Sequence, residues 1–210
     1  MLRVNFKLVR RFLKAKLCGK NKRNEPQLLM HYPHKTPPSI VPPRGGYTLR
    51  SHRQGDAEGM VDLLNSNGQL GVWDRARIRS QIEARVVDGG QLCVVHSEQI
   101  VALANVQDRE IFGVNSWEIG WVASHPEHRG KGLGRWVTAA AIEVALALPL
   151  RPIVLQTDAY RIPAIKVYLK LGFLPSNDHV SYPHRWQKVF LTLGEDYAAF
   201  NRPIAEGVSS

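Results

Sequence analysis

The sequence predicts an α/β fold, and three stretches carry that expectation. An apolar strand, Trp117 to Ala123, leads into a loop with glycines at 130, 132 and 134 and then into an alanine-rich helix from about Gly132 to Leu148. A second apolar strand, Ile153 to Thr157, precedes a helical stretch through Tyr168 that closes on Gly172-Phe173. Upstream, Gln91 to His96 and Gln99 to Val106 are strand-like runs on either side of Ser97-Glu98, the pattern of a hairpin. Strands followed by helices, beside a hairpin, require a sheet with helices packed on it.

In chain order, residues 1–46 read as a basic, proline-rich extension. The first 24 residues hold nine Lys or Arg and no acid, interleaved with apolar residues such as Leu2, Phe6, Leu13 and Leu17, as in a basic amphipathic helix. Such a segment suits a nucleic-acid arm, an anionic membrane surface or a transit peptide, and equally a frayed extension. Pro33, Pro37, Pro38, Pro42 and Pro43, closing with Arg44-Gly45-Gly46, predict an extended linker. The globular pattern begins at Tyr47 and runs to about residue 200, which leaves 201–210 as a tail. Tyr47 to Arg50 predicts a first strand, and Asp56 is placed to cap a helix carrying Met60, Leu63 and Leu64. Val72 to Val87 predicts a helix, because Ile78, Ile82 and Val86 recur every four residues and Arg75, Arg77, Arg79 and Arg85 fall mostly on the wet side. Cys93 is expected as a packed, inert thiol. His184 to Leu193 fits a closing strand and a short helix equally.

The stretch from Val122 to Arg135 carries the chemistry. Glycines at a strand-to-helix junction let backbone amides approach a ligand, and the helix start adds unpaired N–H groups and the positive end of its dipole. That combination favours a phosphate or pyrophosphate. A nucleotide P-loop is excluded, because Lys131 is followed by Gly132 where Ser or Thr is needed to hold Mg²⁺. A dinucleotide-binding fingerprint is excluded by the short Gly130-Lys131-Gly132-Leu133-Gly134 spacing and by Pro126 in the intervening linker. Arg129, Lys131 and Arg135 flank the loop, and cations at a helix start oppose its dipole unless an anion sits there.

Arg129-Gly130-Lys131-Gly132-Leu133-Gly134 resembles the Arg/Gln-x-x-Gly-x-Gly/Ala signature of the GNAT superfamily of N-acetyltransferases. Ala164-Ile-Lys-Val-Tyr168-Leu-Lys-Leu-Gly172-Phe173 resembles that family's later helix and turn, in the expected order. The resemblance covers roughly Tyr47 to Phe173. It implies a GNAT fold, a mixed and mostly antiparallel central sheet with helices on both faces. It also implies acetyl-CoA as co-substrate and direct attack by a primary amine in a ternary complex. Val122, Ala123 and Ser124 would occupy the family's strand bulge, and residues 129–135 would hold the CoA pyrophosphate. Tyr168 is the expected proton donor to the departing thiolate and Glu118 the expected base, with Asp158, Glu110 and His125 in reserve. Strand alternation places Trp117, Ile119, Trp121 and Ala123 on one face and Glu118 with Gly120 on the other. Arg161 stands where many members carry Asn, and it is assigned to the pantetheine or a CoA phosphate.

The formal net charge is +10, but residues 1–46 carry eleven Lys or Arg against Glu25 alone, while the rest of the chain carries 17 of each sign. The catalytic region is therefore neutral, and its acceptor, an amine-bearing small molecule or peptide, is not indicated by charge. Cys18 and Cys93 are too few for a disulfide framework, so a reducing compartment, the cytoplasm, is expected. His31-x-x-His34 and His125-x-x-His128 lack partners for a metal site, and no metal is expected. Two rival classes fit the same residues: a non-catalytic CoA-binding regulatory module, and a protein whose basic extension binds nucleic acid or an anionic membrane.

Overall fold

In the computed structural model, which describes residues 25–200, the strands are laid down by β-branched and aromatic runs and joined by short turns. The basic segment 1–24 and the tail 201–210, with the readings made for them, lie outside the described residues. Seven strands are present among those described: β1 (Leu28–Tyr32), β2 (Thr48–Ser51), β3 (Val86–His96), β4 (Gln99–Ile111), β5 (Val114–Ser124), β6 (Ile153–Thr157) and β7 (Leu174–Pro175). The chain divides into two compact units, residues 32–155 and the flanking residues up to 31 and from 156 onward.

In the larger unit β2, β3, β4 and β5 pair antiparallel in that order, and β6 joins β5 in parallel. The β3–β4 hairpin forms where expected, with Ser97 and Glu98 both at positive φ, 46° and 64°. That handedness matches the twist of the flanking strands. Helix α1 (Ala57–Ser66) packs Met60, Leu63 and Leu64 into one core with Ile78, Ile82, Cys93, Leu103 and Ala123. Cys93 pairs with Leu103, and Leu103 with Ala123, so this core lies on one face of the sheet. Helix α3 (Leu133–Ala147) packs on the same strands. Its Gly134 faces Ser124, which pairs with Ala102 and so points the other way. Helices thus cover both faces.

Two elements differ from their sequence expectation in this unit. The helix expected over Val72 to Val87 is a single α-turn, α2 (Arg75–Ile78), followed by a π-helix at Arg79–Glu83, and Val86 opens β3. Ala84 N–H reaches back five residues to Arg79 O at 3.0 Å, which places Val86 and Val87 beyond the helix as β-branched strand starters. Asp56 precedes α1 without capping it. Its carboxylate is taken by Arg50 at 2.7 and 2.9 Å and by the Arg53 N–H at 2.6 Å.

In the smaller unit β1 pairs antiparallel with β7 at Met30↔Pro175 and His31↔Leu174. Leu28, Leu29 and Met30 are buried, so folded structure begins well ahead of Tyr47. A Leu-Leu-Met run between polar neighbours is too short to show a period, and the prolines after it hid it. Helix α4 (Ile162–Lys170) carries Tyr168, and the ambiguous stretch through His184 is helix α5 (Tyr182–Leu193), opened by Pro183 in its first turn and closed by Gly194 in the left-handed conformation. Tyr182, Trp186 and Phe190 are its buried stripe, followed by the short α6 (Tyr197–Phe200).

Leu103 sits fully buried at the centre of the larger core. Leu103→Ala should lower the unfolding free energy by about 2–5 kcal/mol, measured by urea denaturation, because the cavity cannot collapse between paired strands.

Candidate active site

The site begins with a break in register. Asn105 pairs with Gly120 but Leu103 pairs with Ala123, so β5 spends one more residue than β4 between these pairs. The extra residue is accommodated at Trp121, whose φ is +49°, a left-handed conformation costly for a bulky side chain. The bulge reverses side-chain parity. Ala123 therefore joins Glu118 and Gly120 on the α1 face, whereas uninterrupted alternation would have put it with Trp117 and Ile119. Trp121 packs edge-on against Trp73 with ring centroids 4.6 Å apart. The parallel ladder with β6 is registered at Trp117↔Ile153 and Glu118↔Val154, and among the described residues it stops there. The β5 edge from Ile119 through Val122 and Ala123 to Ser124 is left without a β6 partner.

Past the bulge the chain is fixed at several points before it enters α3. Asn67 Nδ2 donates to Ser124 O at 3.3 Å, and Asn67 O accepts from Arg129 Nη2 at 3.4 Å. His125 N–H donates to Val101 O at 2.8 Å, and a 3₁₀ turn follows at Pro126–His128. Gly130 and Gly132 both adopt left-handed backbone, φ 78° and 79°, and a Cβ on either would meet nothing within 4 Å. The space a side chain would fill is open to a ligand. Gly134 is different: a Cβ there would lie 3.4 Å from Ser124 Oγ, so its smallness serves helix-to-strand packing. No side chain caps α3, and its first internal bond is Trp136 N–H to Gly132 O at 3.0 Å. The amides of Leu133, Gly134 and Arg135 precede that bond and point out of the helix start.

A cavity of about 300 Å³ opens at this terminus, with Lys131, Gly132 and Arg135 in its wall. Lys131 Nζ also lies 5.7 Å from the centre of the Tyr47 ring, and the Tyr47 hydroxyl shares a 3.0 Å hydrogen bond with His128 Nδ1. His128 is held below the usual imidazole range, first by desolvation and then by Lys131, His96 and His125. Asn67 carries no local signal, and His128, read only as half of an unpartnered histidine pair, and Tyr47, read only as a strand start, meet across 81 residues of chain that no local spacing reveals. Among the described residues no group of His, Cys, Asp or Glu is placed to hold a metal ion.

Glu118 is buried beside Gln107, with Arg109 Nε at 3.5 Å from its carboxylate. Desolvation raises its pKa above the usual carboxylate value, outweighing the opposing pull of Arg109 and Arg85. Of the reserve bases, Glu110 pairs with Asn115 at the far end of the same hairpin, some 30 Å along β5 from the loop. His125 faces His128 at 5.7 Å, and Asp158 is held by Arg161 at 2.9 Å. Arg161 is the residue before α4, committed to that ion pair. Tyr168 is buried in the smaller unit against Phe173, and burial pushes its phenol up to about 12. Cys93 is pushed up to about 12 by burial too, an inert thiol.

A sheet strand that breaks register and delivers an uncapped, glycine-lined helix start belongs to α/β proteins whose backbone amides are free to meet an anion. A model of the Acetyltransferase (GNAT) family matches residues 58–173, more than half of the sequence. The chain belongs to this family of acyltransferases. Mycothiol acetyltransferases from Pseudarthrobacter chlorophenolicus and Tsukamurella paurometabola are 38% and 34% identical to it over 65 and 67 residues, 31% and 32% of this chain. The matched stretch is 20% and 23% of those proteins, so the chain spans about a fifth of the curated relatives it matches. Among solved structures, a GCN5-related N-acetyltransferase from Sphaerobacter thermophilus superposes with a TM-score of 0.59 and 22% identity, over 72% of this chain and 50% of the other. A candidate acetyltransferase from Salmonella typhimurium, solved with its cofactor acetyl-CoA, superposes at 0.53 and 23% identity, over 62% and 80%. These likenesses show the fold.

The raised pKa of Glu118 has a stability consequence with a definite sign. An acid whose folded pKa lies above its unfolded value binds protons more tightly when folded, so its contribution falls as pH rises from about 4.5 through the raised value. Glu118→Gln should therefore gain in unfolding free energy relative to the parent between pH 4 and pH 7. Urea titrations at both pH values measure it, and an unchanged difference would show a solvated carboxylate.

Proposed function

We propose that this chain transfers an acetyl group from acetyl-CoA to a primary amine by direct attack in a ternary complex. The observation that carries the reading is the open α3 terminus, where Gly130 and Gly132 leave room for a phosphate and the amides of Leu133, Gly134 and Arg135 face it. Acetyl-CoA enters as a co-substrate: its pyrophosphate sits on these amides, and Arg129, Lys131 and Arg135 balance its charge. Val122 and Ser124 contribute backbone on the unpartnered β5 edge to the pantetheine arm and thioester, and Arg161, standing where many family members carry Asn and paired with Asp158, is assigned to the same arm by its position.

The acceptor must lose a proton to become nucleophilic, and the departing thiolate must gain one. Glu118 takes the first role, because desolvation makes a carboxylate a better base near neutral pH. Tyr168 takes the second, supported by the motif from Ala164 to Phe173 and by a phenol that stays protonated until about pH 12. A group that never ionises at physiological pH is always available as a donor. The acceptor is an amine-bearing small molecule or peptide, and the setting is a reducing one such as the cytoplasm, where Cys93 persists as a free thiol.

Gly132→Asn tests the cofactor half. Asn tolerates left-handed backbone at modest cost and fills the open space, so calorimetry should show acetyl-CoA affinity falling by about a hundredfold in a folded protein. Unchanged affinity would remove the loop from the site. Tyr168→Phe tests proton delivery: acetyl-CoA affinity should persist while kcat falls by about tenfold to a thousandfold, in stopped-assay turnover with one identified amine. Parent-level kcat when chemistry limits the rate would reduce Tyr168 to packing.

A further inference from the structure

The cavity at the start of α3 has two walls. One is the cation-bearing loop already described. The other is the proline-rich segment before β2, which contributes Ser39, Ile40, Val41 and Pro43. Sequence reading made this segment a bare linker, yet it is fixed at both ends. Ahead of it the Tyr32 hydroxyl donates to Thr36 O at 2.8 Å, and behind it Tyr47 is held by His128 and lies beneath Lys131. Pro37, Pro38, Pro42 and Pro43 each fix φ and remove an N–H, so the stretch between is stiff without belonging to a sheet. Within it Val41 is 89% exposed, the most exposed large hydrophobic among the described residues, beside two cations and an uncapped helix start.

We infer that residues 39–43 form the outer wall of the cofactor's pyrophosphate site, a binding element additional to the glycine loop. The inference rests on the proposed acetyl-CoA reading and extends it to residues outside the matched family region. A cavity of about 300 Å³ admits a pyrophosphate and not a whole CoA, so the wall meets the phosphates. The Ser39 hydroxyl donates to a phosphate oxygen, which accepts a second bond from the opposing amides. Val41 projects into solvent at the rim, while the side chains of Ile40 and Pro43, both partly buried, carry no hydrogen-bonding group and keep bulk water from that side of the phosphates. That strengthens the contacts of Lys131 and Arg135, because charge pairs weaken steeply in high dielectric. The pinning at Tyr47 links the two walls, since the same ring lies under Lys131.

Charge substitutions at Val41 test this, because an exposed side chain can change sign without disturbing the fold. Kd for CoA is measured by calorimetry at about 0.15 M salt, where only charges within about 8 Å act strongly. Val41→Asp should weaken binding by about tenfold and Val41→Lys should tighten it by a few fold. Leu150→Asp serves as the distant control, at the far end of an α3 some 22 Å long, and should leave Kd unchanged. A structural effect of substitution would move Asp and Lys variants together. Equal Kd values in the parent and both Val41 variants, or shifts of the same sign, would overturn the wall while leaving the acetyl-CoA reading intact. A parent chain that does not bind CoA would overturn both.

Discussion

One residue's backbone sets the rest of the site. Trp121 is held in a left-handed conformation that only glycine adopts freely, and this lets β5 carry an extra residue against β4. The cost is met by packing: its ring is wedged against Trp73, which is fixed through its indole N–H to Leu70 O at 2.9 Å and its backbone to Asn65. Three consequences come from this constraint. Ala123 turns into the α1 core and anchors the strand end; the β5 edge parts from β6; and Ser124 arrives where Asn67 can hold it. A strand that kept its alternation would send the following loop to the other face.

The electrostatics of the larger unit follow from that delivery. Cations at a helix start are unfavourable, and Lys131 and Arg135 stand beside an uncapped α3. Elsewhere in this unit some cations sit against carboxylates, as Arg50 does with Asp56 and Arg151 with Asp108, both closer than 3 Å. An anion bound at the helix start, as the proposed function requires, would offset that cost. Glu118 is the converse case. It is an acid withdrawn from water, and burial outweighs the opposing pull of Arg109 and Arg85 on its titration.

Much of this was legible in the sequence, for reasons that are local. Gly130 and Gly132 announce left-handed backbone, the run from Ile153 to Thr157 announces a strand, and Pro149 ends α3 where it should. The site residues in these segments share one short stretch of chain, so their spacing is their geometry. What could not be read was set by contacts across the chain. The family resemblance put the strand bulge at Val122 to Ser124, whereas the extra residue is taken up at Trp121, and simple alternation carried through it misplaced the face of Ala123. The helix expected through Val86 failed because the same period of four appears in a π-turn followed by a strand edge. Val41 and its neighbours look like linker, since only the fold shows which loop they lie against.

On the proposed function, backbone amides at the start of α3 hold acetyl-CoA. Nitrogen-edited NMR of the full chain titrated with acetyl-CoA reads those amides individually. Binding on these amides predicts saturable shifts largest at Gly132, Leu133, Gly134 and Arg135, as N–H groups that faced solvent take up phosphate oxygens. Saturation with those four resonances unmoved, or with the large shifts on another element, would contradict it.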